Sequence, residues 1–390
     1  MIGPLCTHPH LQLEPSEHAK EASYIRADAN RRAAAETASG RVPGAKKKHG
    51  SKSDSECHTI ADSTAYPAPL VLPDDDLALD PRYPPQSFRS WIMEKERNKV
   101  TQDQKTLYVA AAPAVSPELT AEMERWAKAK PPQASRKGKN TMPVKQPEFK
   151  DVVEYLSAFY HGMQVKEFPE SLKFTEWEKG STRSIGLQTG DSAVQIRIRP
   201  SRDGVFQRQL NLNDILDAAI EMLPSDAYAI ILLVEHDMYE DEDDDFCCGR
   251  AYGGSRVAVV SSARYHPALD LMEGIDHAHM WPASHCKAYV DSCCESSDIL
   301  PLPPPGELRA TSGGKGRLQA AVEAASTLKQ PRNEEDFHGL WLTRLVRTTS
   351  HELGHCLGLD HCVYYACAMQ GTAGMAEDGR QPPYLSTAQQ

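Results

Sequence analysis

The chain has 390 residues, with 43 Lys and Arg against 54 Asp and Glu, giving a formal net charge of −11. Phosphate binding needs clustered positive charge, so this balance argues against nucleic acid as a partner. Hydrophobic residues make up 40% of the chain, slightly below the usual globular share, which favours one folded domain with long unstructured parts. Ten Cys are too few for a disulfide scaffold.

Targeting signals are weak in this sequence. No apolar run approaches the roughly 18 residues that cross a bilayer, so no membrane association is expected. The first 20 residues lack the apolar core of a secretion signal. The sequence therefore predicts an intracellular, cytoplasmic protein. Nuclear import through Lys46, Lys47 and Lys48 is the alternative reading.

Composition divides the chain into a tail and a folded part. Residues 1–65 have almost no apolar periodicity, and residues 66–86 are rich in Pro, so residues 1–86 are predicted to be a disordered tail and linker. Residues 87–390 are predicted to form one domain. Segments of about 130–147 and 295–333 lack a core-forming pattern and are predicted to be flexible insertions.

Strands and helices alternate within the predicted domain, which indicates an α+β or α/β fold with one main core. Val194, Ile196 and Ile198 alternate with polar residues, as in a half-buried strand. The predicted strands lie at residues 106–112, 227–234 and 256–261, and the predicted helices at residues 117–129, 213–223 and 334–357.

The residues from His351 read HELGHCLGLDH. His351 and His355 are four positions apart, so on a helix they project from one face and can bind one ion. Glu352 lies between them and can reach a water on that ion. Gly358 can adopt a positive φ, which ends the helix and lets His361 supply a third nitrogen. Three neutral imidazoles suit Zn²⁺ and leave its fourth position open for water, as in a catalytic site.

The residues that follow extend this pattern: His361 is followed by Cys362, four residues, Cys367, one residue and Met369. The whole pattern, HExxHxxGxxHCx₄CxM, resembles the archaemetzincin family of zinc metallopeptidases. The resemblance covers about residues 87–385. It implies a metzincin-like zincin catalytic domain, with a mixed sheet and a long active-site helix.

The resemblance also implies a role for each matching residue. His351, His355 and His361 become the ligands of a catalytic zinc, and Glu352 becomes the general base. Met369 becomes the Met-turn residue, which packs beneath the histidines and does no chemistry. A strand within residues 247–262 becomes the rim of the cleft, where a substrate pairs as an added strand.

One part of the family pattern is missing. About seventeen residues after the Met, the family has a Cys-x-x-Cys pair that joins Cys362 and Cys367 around a second, structural zinc. The expected positions lie near Thr387 and Gln390, where this sequence reads STAQQ. Cys362 and Cys367 are then a partial structural zinc site. The structural zinc is lost, or thiols such as Cys293 and Cys294 replace the missing pair, or the gene model ends wrongly.

The preferred function is a zinc-dependent metallopeptidase that hydrolyses peptide bonds in a peptide or protein substrate through a zinc-activated water. The first alternative is a zinc-containing but catalytically impaired binding or regulatory protein that lacks the complete Cys₄ site. The second is an interaction protein that works through its N-terminal tail.

Overall fold

The computed structural model describes residues 8–42, 64–130, 144–190, 192–295, 316–327 and 331–389. The chain divides into two compact units. One, called here the terminal unit, comprises residues 1–95, 273–330 and 359–390. The other, called the sheet unit, comprises residues 96–272 and 331–358.

The strands and helices of the described residues are numbered in chain order. The strands are β1 Thr106–Ala110, β2 Ala114–Val115, β3 Gln164–Glu167, β4 Leu172–Glu176, β5 Ser184–Thr189, β6 Ser192–Pro200, β7 Arg208–Asn211, β8 Ala227–Val234, β9 Met238–Tyr239, β10 Gly249–Tyr252 and β11 Val257–Ser261. The helices are α1 His18–Glu21, α2 Ala29–Ala35, α3 Asp76–Leu79, α4 Phe88–Met93, α5 Thr120–Trp126, α6 Phe149–Phe159, α7 Leu212–Met222, α8 Lys287–Glu295, α9 Arg317–Thr327, α10 Glu334–Cys356 and α11 Met375–Asp378.

The sheet unit contains a five-stranded sheet in the order β10-β11-β8-β1-β3. Strands β3, β1, β8 and β11 run parallel, and β10 is an antiparallel edge strand paired with β11. Strand β8 reads AYAIILLV and is buried along its whole length, as expected for a central parallel strand covered on both faces.

A second sheet of the same unit has six strands in the order β2-β4-β5-β6-β7-β9. Its central strands β4 to β7 are antiparallel, and its outer pairs β2–β4 and β7–β9 are parallel. The strand predicted from Val194, Ile196 and Ile198 is confirmed as part of β6. Their neighbours Gln195 and Arg197 are exposed, whereas Arg199 is buried, so the alternation ends at Ile198.

The core of the sheet unit forms where helices α5 and α7 pack on strands of these sheets. Met123 and Trp126 come from α5, and Ile215 and Leu216 come from α7. Helix α7 begins at its N-cap Asn211, whose side chain accepts a hydrogen bond from the Asp214 amide at 3.0 Å. The prediction of a mixed α/β chain is confirmed.

The terminal unit is built from short helices and loops, and its ordered parts differ from the sequence-based expectation. Residues 8–42 and 64–86, assigned above to a disordered tail and linker, contain α1 to α3. Tyr24 is buried with Ala19, Val71 and Leu77, and its hydroxyl donates a hydrogen bond to the Val363 carbonyl at 2.6 Å. The buried side chains are small or isolated, so they produce no periodic pattern in the sequence.

The predicted flexible insertions also differ in part from the expectation. Helix α9 lies within the segment 295–333, and its Leu318 and Val322 are buried. Residues 131–143, 296–315 and 328–330 lie outside the described residues, as do Lys46, Lys47 and Lys48 of the predicted import patch.

None of the helices in the described part of the chain combines the length and the apolar character that a membrane span requires.

The N-terminal packing can be tested with two adjacent residues. Tyr24 is buried, whereas the side chain of Ile25 is 88% exposed. We expect Tyr24→Ala to lower the free energy of unfolding by about 3–5 kcal/mol, because it leaves a cavity and removes a hydrogen bond. We expect Ile25→Ala to change it by less than about 0.5 kcal/mol. Urea unfolding of the full chain measures both changes, and a disordered tail would give two small values.

Candidate functional site

Helix α10 carries the motif and is fixed in the sheet unit by buried polar contacts. The Arg344 guanidinium pairs with the Asp270 carboxylate at 2.6 Å, and both side chains are buried. Farther along the helix, the hydroxyl of Tyr160 donates to the Ser350 carbonyl at 2.5 Å. The hydroxyl of Tyr228 donates to the Cys356 carbonyl at 3.1 Å. These contacts fix both the position of α10 and its rotation about its own axis.

This rotation brings His351 and His355 together on one face. Their Nε2 atoms are 3.0 Å apart, and their rings meet edge to face with centroids 4.6 Å apart. His351 is buried and His355 is half-buried. The structure thus places the two predicted metal-binding nitrogens side by side, as the i, i+4 spacing requires.

Glu352, the residue between these histidines, is buried in the same unit. Burial raises the pKa of its carboxyl group to about 8, while the nearby charge of Arg250 lowers it and that of Glu240 raises it. Arg250 Nε lies 3.3 Å from a Glu240 carboxylate oxygen. Glu352 is therefore a desolvated carboxyl group beside an ion pair.

The edge strand β10 and Gly253, the residue that follows it, approach this part of α10 closely. A Cβ added at Gly249 would lie 3.2 Å from Glu352 Cγ, and one added at Gly253 would lie 2.5 Å from the His355 carbonyl oxygen. A side chain at Gly253 would therefore collide with the helix backbone. The resemblance placed the rim of the cleft within residues 247–262 but assigned no individual role to Arg250, Gly249 or Gly253. The paired glycines at 253 and 254 are the sequence signal for a close approach of the backbone.

The end of α10 follows the prediction. The Gly358 amide donates to the His355 carbonyl at 2.9 Å, and Gly358 has φ of 79°, the left-handed conformation that ends a helix.

His361 belongs to the terminal unit, where its ring lies 5.3 Å from the ring of Tyr83. A Cβ added at Gly371 would lie 2.7 Å from His361 Nδ1, so only glycine lets the chain approach the imidazole this closely. Met369 is buried in the hydrophobic cluster that also contains Cys362 and Cys367. The Cys362 amide donates to the Met369 carbonyl at 2.7 Å, which closes the loop between them.

Cys362 and Cys367 face polar side chains near the C-terminus. Cys362 Sγ lies 3.5 Å from Ser386 Oγ, and Cys367 Sγ donates to Gln389 Oε1 at 3.3 Å. A hydrogen bond with Cys367 lowers the pKa of the Cys362 thiol to about 7. Ser386 and Gln389 are three residues apart, the spacing of a Cys-x-x-Cys pair, and each lies one position before the expected Thr387 and Gln390.

The proposed substitute thiols lie elsewhere in the terminal unit. Cys293 and Cys294 lie on α8 and pack against Leu70, Leu72 and Val290. Among the described residues, the groups of three or more metal-binding side chains include neither Cys362 nor Cys367. The described residues thus show a pair of thiols with two hydrogen-bonding partners in place of a four-thiol site.

Comparison with known proteins matches residues 320–389 to the model of Peptidase family M54. Archaemetzincin-2 of Rattus norvegicus is 24% identical over 243 residues, which is 62% of this chain and 52% of that protein. Archaemetzincin-2 of Macaca fascicularis is 20% identical over 316 residues, 81% of this chain and 66% of that protein. The chain thus spans about half to two thirds of the length of these relatives.

Two solved structures are also similar. The archaemetzincin of Methanopyrus kandleri has a TM-score of 0.33 at 17% identity, covering 73% of this chain and 89% of that one. The zinc-dependent peptidase of Methanocorpusculum labreanum has a TM-score of 0.31 at 15% identity, covering 72% of this chain and 95% of that one.

The motif region, with its adjacent histidines and buried glutamate, falls within the segment that matches a peptidase family. The curated relatives are archaemetzincins, the family that the motif resembles. The resemblance predicted from HExxHxxGxxHCx₄CxM is confirmed.

The approach of Gly253 to α10 gives a test with a matched control. Gly253→Ala places a methyl group against the His355 carbonyl and should lower the free energy of unfolding by about 1–3 kcal/mol, because the backbone must shift. Gly254 has open space around it, so Gly254→Ala should cost less than about 0.5 kcal/mol. Urea denaturation measures both, and equal effects would contradict the close approach.

The contacts of Cys362 and Cys367 give a second test. Ser386→Cys combined with Gln389→Cys should create a four-thiolate set and raise zinc content by one ion per chain, with a higher melting temperature. Thr387→Cys combined with Ala388→Cys is the control. Ala388 packs in the same hydrophobic cluster as Cys362 and Cys367, but the side chains that hydrogen-bond the two thiols are those of Ser386 and Gln389. Elemental analysis and thermal unfolding provide the readouts. A larger zinc gain in the control would mean that Ser386 and Gln389 are not the positions that face Cys362 and Cys367.

Proposed function

We propose that this chain is a zinc-dependent peptidase in which His351, His355 and His361 bind the metal and Glu352 is the general base. The observation that carries this proposal is the 3.0 Å separation of His351 Nε2 and His355 Nε2 beside the buried Glu352. Peptides or proteins are the proposed substrates, in keeping with the family match.

The histidine pair fits zinc. Zn–N bonds of about 2.0–2.1 Å at a tetrahedral angle place two ligand nitrogens roughly 3.3 Å apart. The observed 3.0 Å is close to that value. Two neutral imidazoles on one helix face are also the donors that zinc prefers over hard cations. The residues present therefore fit the proposed metal.

His361 is proposed as the third ligand because of the local chain path. Gly358 turns the chain at the end of α10, and His361 follows three residues later. The ring of Tyr83 and the close backbone at Gly371 limit the orientations of the His361 imidazole. Met369, buried in the loop that begins at Cys362, is proposed as the Met-turn residue.

The chemistry assigned to the protein is proton transfer by Glu352. Bound zinc supplies a Lewis acid that lowers the pKa of water and polarises the scissile carbonyl. A Glu352 carboxylate oxygen accepts the proton of the attacking water and returns it to the leaving amine. A general base works best when its pKa lies near the working pH, and burial moves the pKa of Glu352 in that direction.

Strand β10 is the proposed rim of the substrate cleft. It is one of the two edge strands of the five-stranded sheet and pairs on one side with β11. An extended peptide can add to such an edge through main-chain hydrogen bonds. The approach of Gly249 to Glu352 supports this position, because it places the strand edge next to the proposed base.

The base assignment is tested with Glu352→Gln. We expect this variant to retain zinc and to lose about 10²–10⁴-fold in peptide hydrolysis, because an amide cannot accept the proton. Glu335→Gln, at an exposed position on the same helix, is the control and should keep full activity. A peptide-library digest run beside elemental analysis gives both readouts. Activity within a few-fold of wild type would exclude Glu352 as the base.

The ligand assignment is tested with His355→Ala. The variant should lose the zinc of this site, since two remaining histidines bind zinc weakly, and hydrolysis should disappear with it. Zinc retained at the wild-type level would contradict the assignment. Zinc bound by the wild type without any peptide hydrolysis would instead favour the binding or regulatory alternative.

A further inference from the structure

A second group of metal-binding side chains lies in the terminal unit. His8, His279 and Cys286 each offer one ligand atom, and these atoms lie within 4.8 Å of one another. The rings of His8 and His279 meet edge to face with centroids 5.2 Å apart. None of these residues belongs to the HExxH motif or to the Cys362–Cys367 pair.

Two nitrogens of this group are buried without a partner. His8 Nε2 and His279 Nε2 are inaccessible to solvent and have no hydrogen-bond partner among the described residues. Buried polar atoms are almost always satisfied, and leaving one unpaired costs about 1–3 kcal/mol. A pair of such atoms beside the fully buried Cys286 is what a bound metal ion would explain.

Each imidazole also makes a hydrogen bond of the kind that orients histidines in known metal sites. His279 Nδ1 lies 2.6 Å from an Asp276 carboxylate oxygen, and His8 hydrogen-bonds the backbone of Ala278. Metal-binding histidines usually donate their second nitrogen to a carboxylate or a backbone carbonyl, which leaves the first nitrogen free for the metal. The ring of Tyr289 stacks on His279 at 4.3 Å and restricts its rotation.

Backbone pairing explains how residues so far apart in sequence meet. Leu11 forms an antiparallel bridge with Cys286. The Gln12 amide donates to the His285 carbonyl at 2.7 Å, and the Lys287 amide donates to the His10 carbonyl at 3.0 Å. This ladder places the segment that begins at His8 beside Cys286.

We propose that His8, His279 and Cys286 bind a zinc ion that fastens the N-terminal segment to the turn before α8. Two imidazoles and one thiolate are borderline-soft donors, which suit zinc better than magnesium or calcium. The role is structural, because the ion would join segments that the chain connects only through long loops. This site is independent of the proposed catalytic centre.

The test uses the full chain, stripped of metal with a chelator and titrated with Co²⁺ alone and then with Zn²⁺. Co²⁺ bound to a thiolate has a charge-transfer absorption that a site made only of histidines lacks. We expect this absorption in the wild type and its displacement by Zn²⁺. It should vanish in Cys286→Ser and persist in His355→Ala, so failure of this site is distinguishable from failure of the catalytic proposal.

Two controls separate Cys286 from the other thiols of the terminal unit. Cys293→Ser and the double variant Cys362→Ser with Cys367→Ser should both keep the absorption. A wild type without the absorption would overturn the proposal. So would an absorption that survives in Cys286→Ser and disappears in the double variant, because the metal would then belong to Cys362 and Cys367.

A second variant is needed because Cys286→Ser changes a fully buried residue and can disturb folding. The Asp276 side chain is 45% exposed, so Asp276→Asn should fold. It should weaken Zn²⁺ binding by about 10–100-fold, because the carboxylate that orients the His279 imidazole is lost. Unchanged affinity would contradict the site. Hydrogen exchange gives an independent readout, in which added Zn²⁺ should slow exchange at residues 8–12 and 283–289.

Discussion

The rotation of helix α10 about its own axis decides where His351 and His355 point, and buried polar contacts in the sheet unit fix that rotation. The ion pair of Arg344 with Asp270 is buried, so the helix cannot turn without leaving two charges unpaired. Tyr160 adds a hydrogen bond to the helix backbone near the histidines. A metal site needs its ligands held within a fraction of an ångström, and packing of this kind supplies that precision.

The same constraint explains the glycines around the helix. Where a chain passes this close to a fixed helix, a side chain would collide with it. Gly249 on β10 and Gly253, which directly follows β10, avoid that collision. The approach places an edge strand next to Glu352, whose carboxyl group has a pKa raised by burial.

The sequence predicted elements whose signal is local. Strand β8 has the predicted bounds, because eight consecutive buried residues can be read directly. Helix α10 ends one residue before the predicted end, because an N-cap residue and a terminal glycine mark its limits. Spacing likewise located the neighbouring histidines. Features that depend on long-range contacts were not predictable. The partners of Cys362 and Cys367 lie one residue from the counted positions, and the order of residues 8–42 rests on single buried side chains such as Tyr24.

Short helices make the terminal unit dependent on such long-range ties. Its described helices have at most 11 residues, below the roughly 12–15 at which an isolated helix becomes marginally stable. Their order must therefore come from contacts between distant segments, such as the pairing of Arg380 with Asp75 at 2.5 Å. Each such tie removes much of the entropy of the loop that it closes, and the gain grows only slowly with loop length. A metal held by His8, His279 and Cys286 would close another long loop of this kind. In a unit whose Cys362 and Cys367 meet Ser386 and Gln389 in place of further thiols, it would supply the cross-link that a four-thiol site supplies elsewhere.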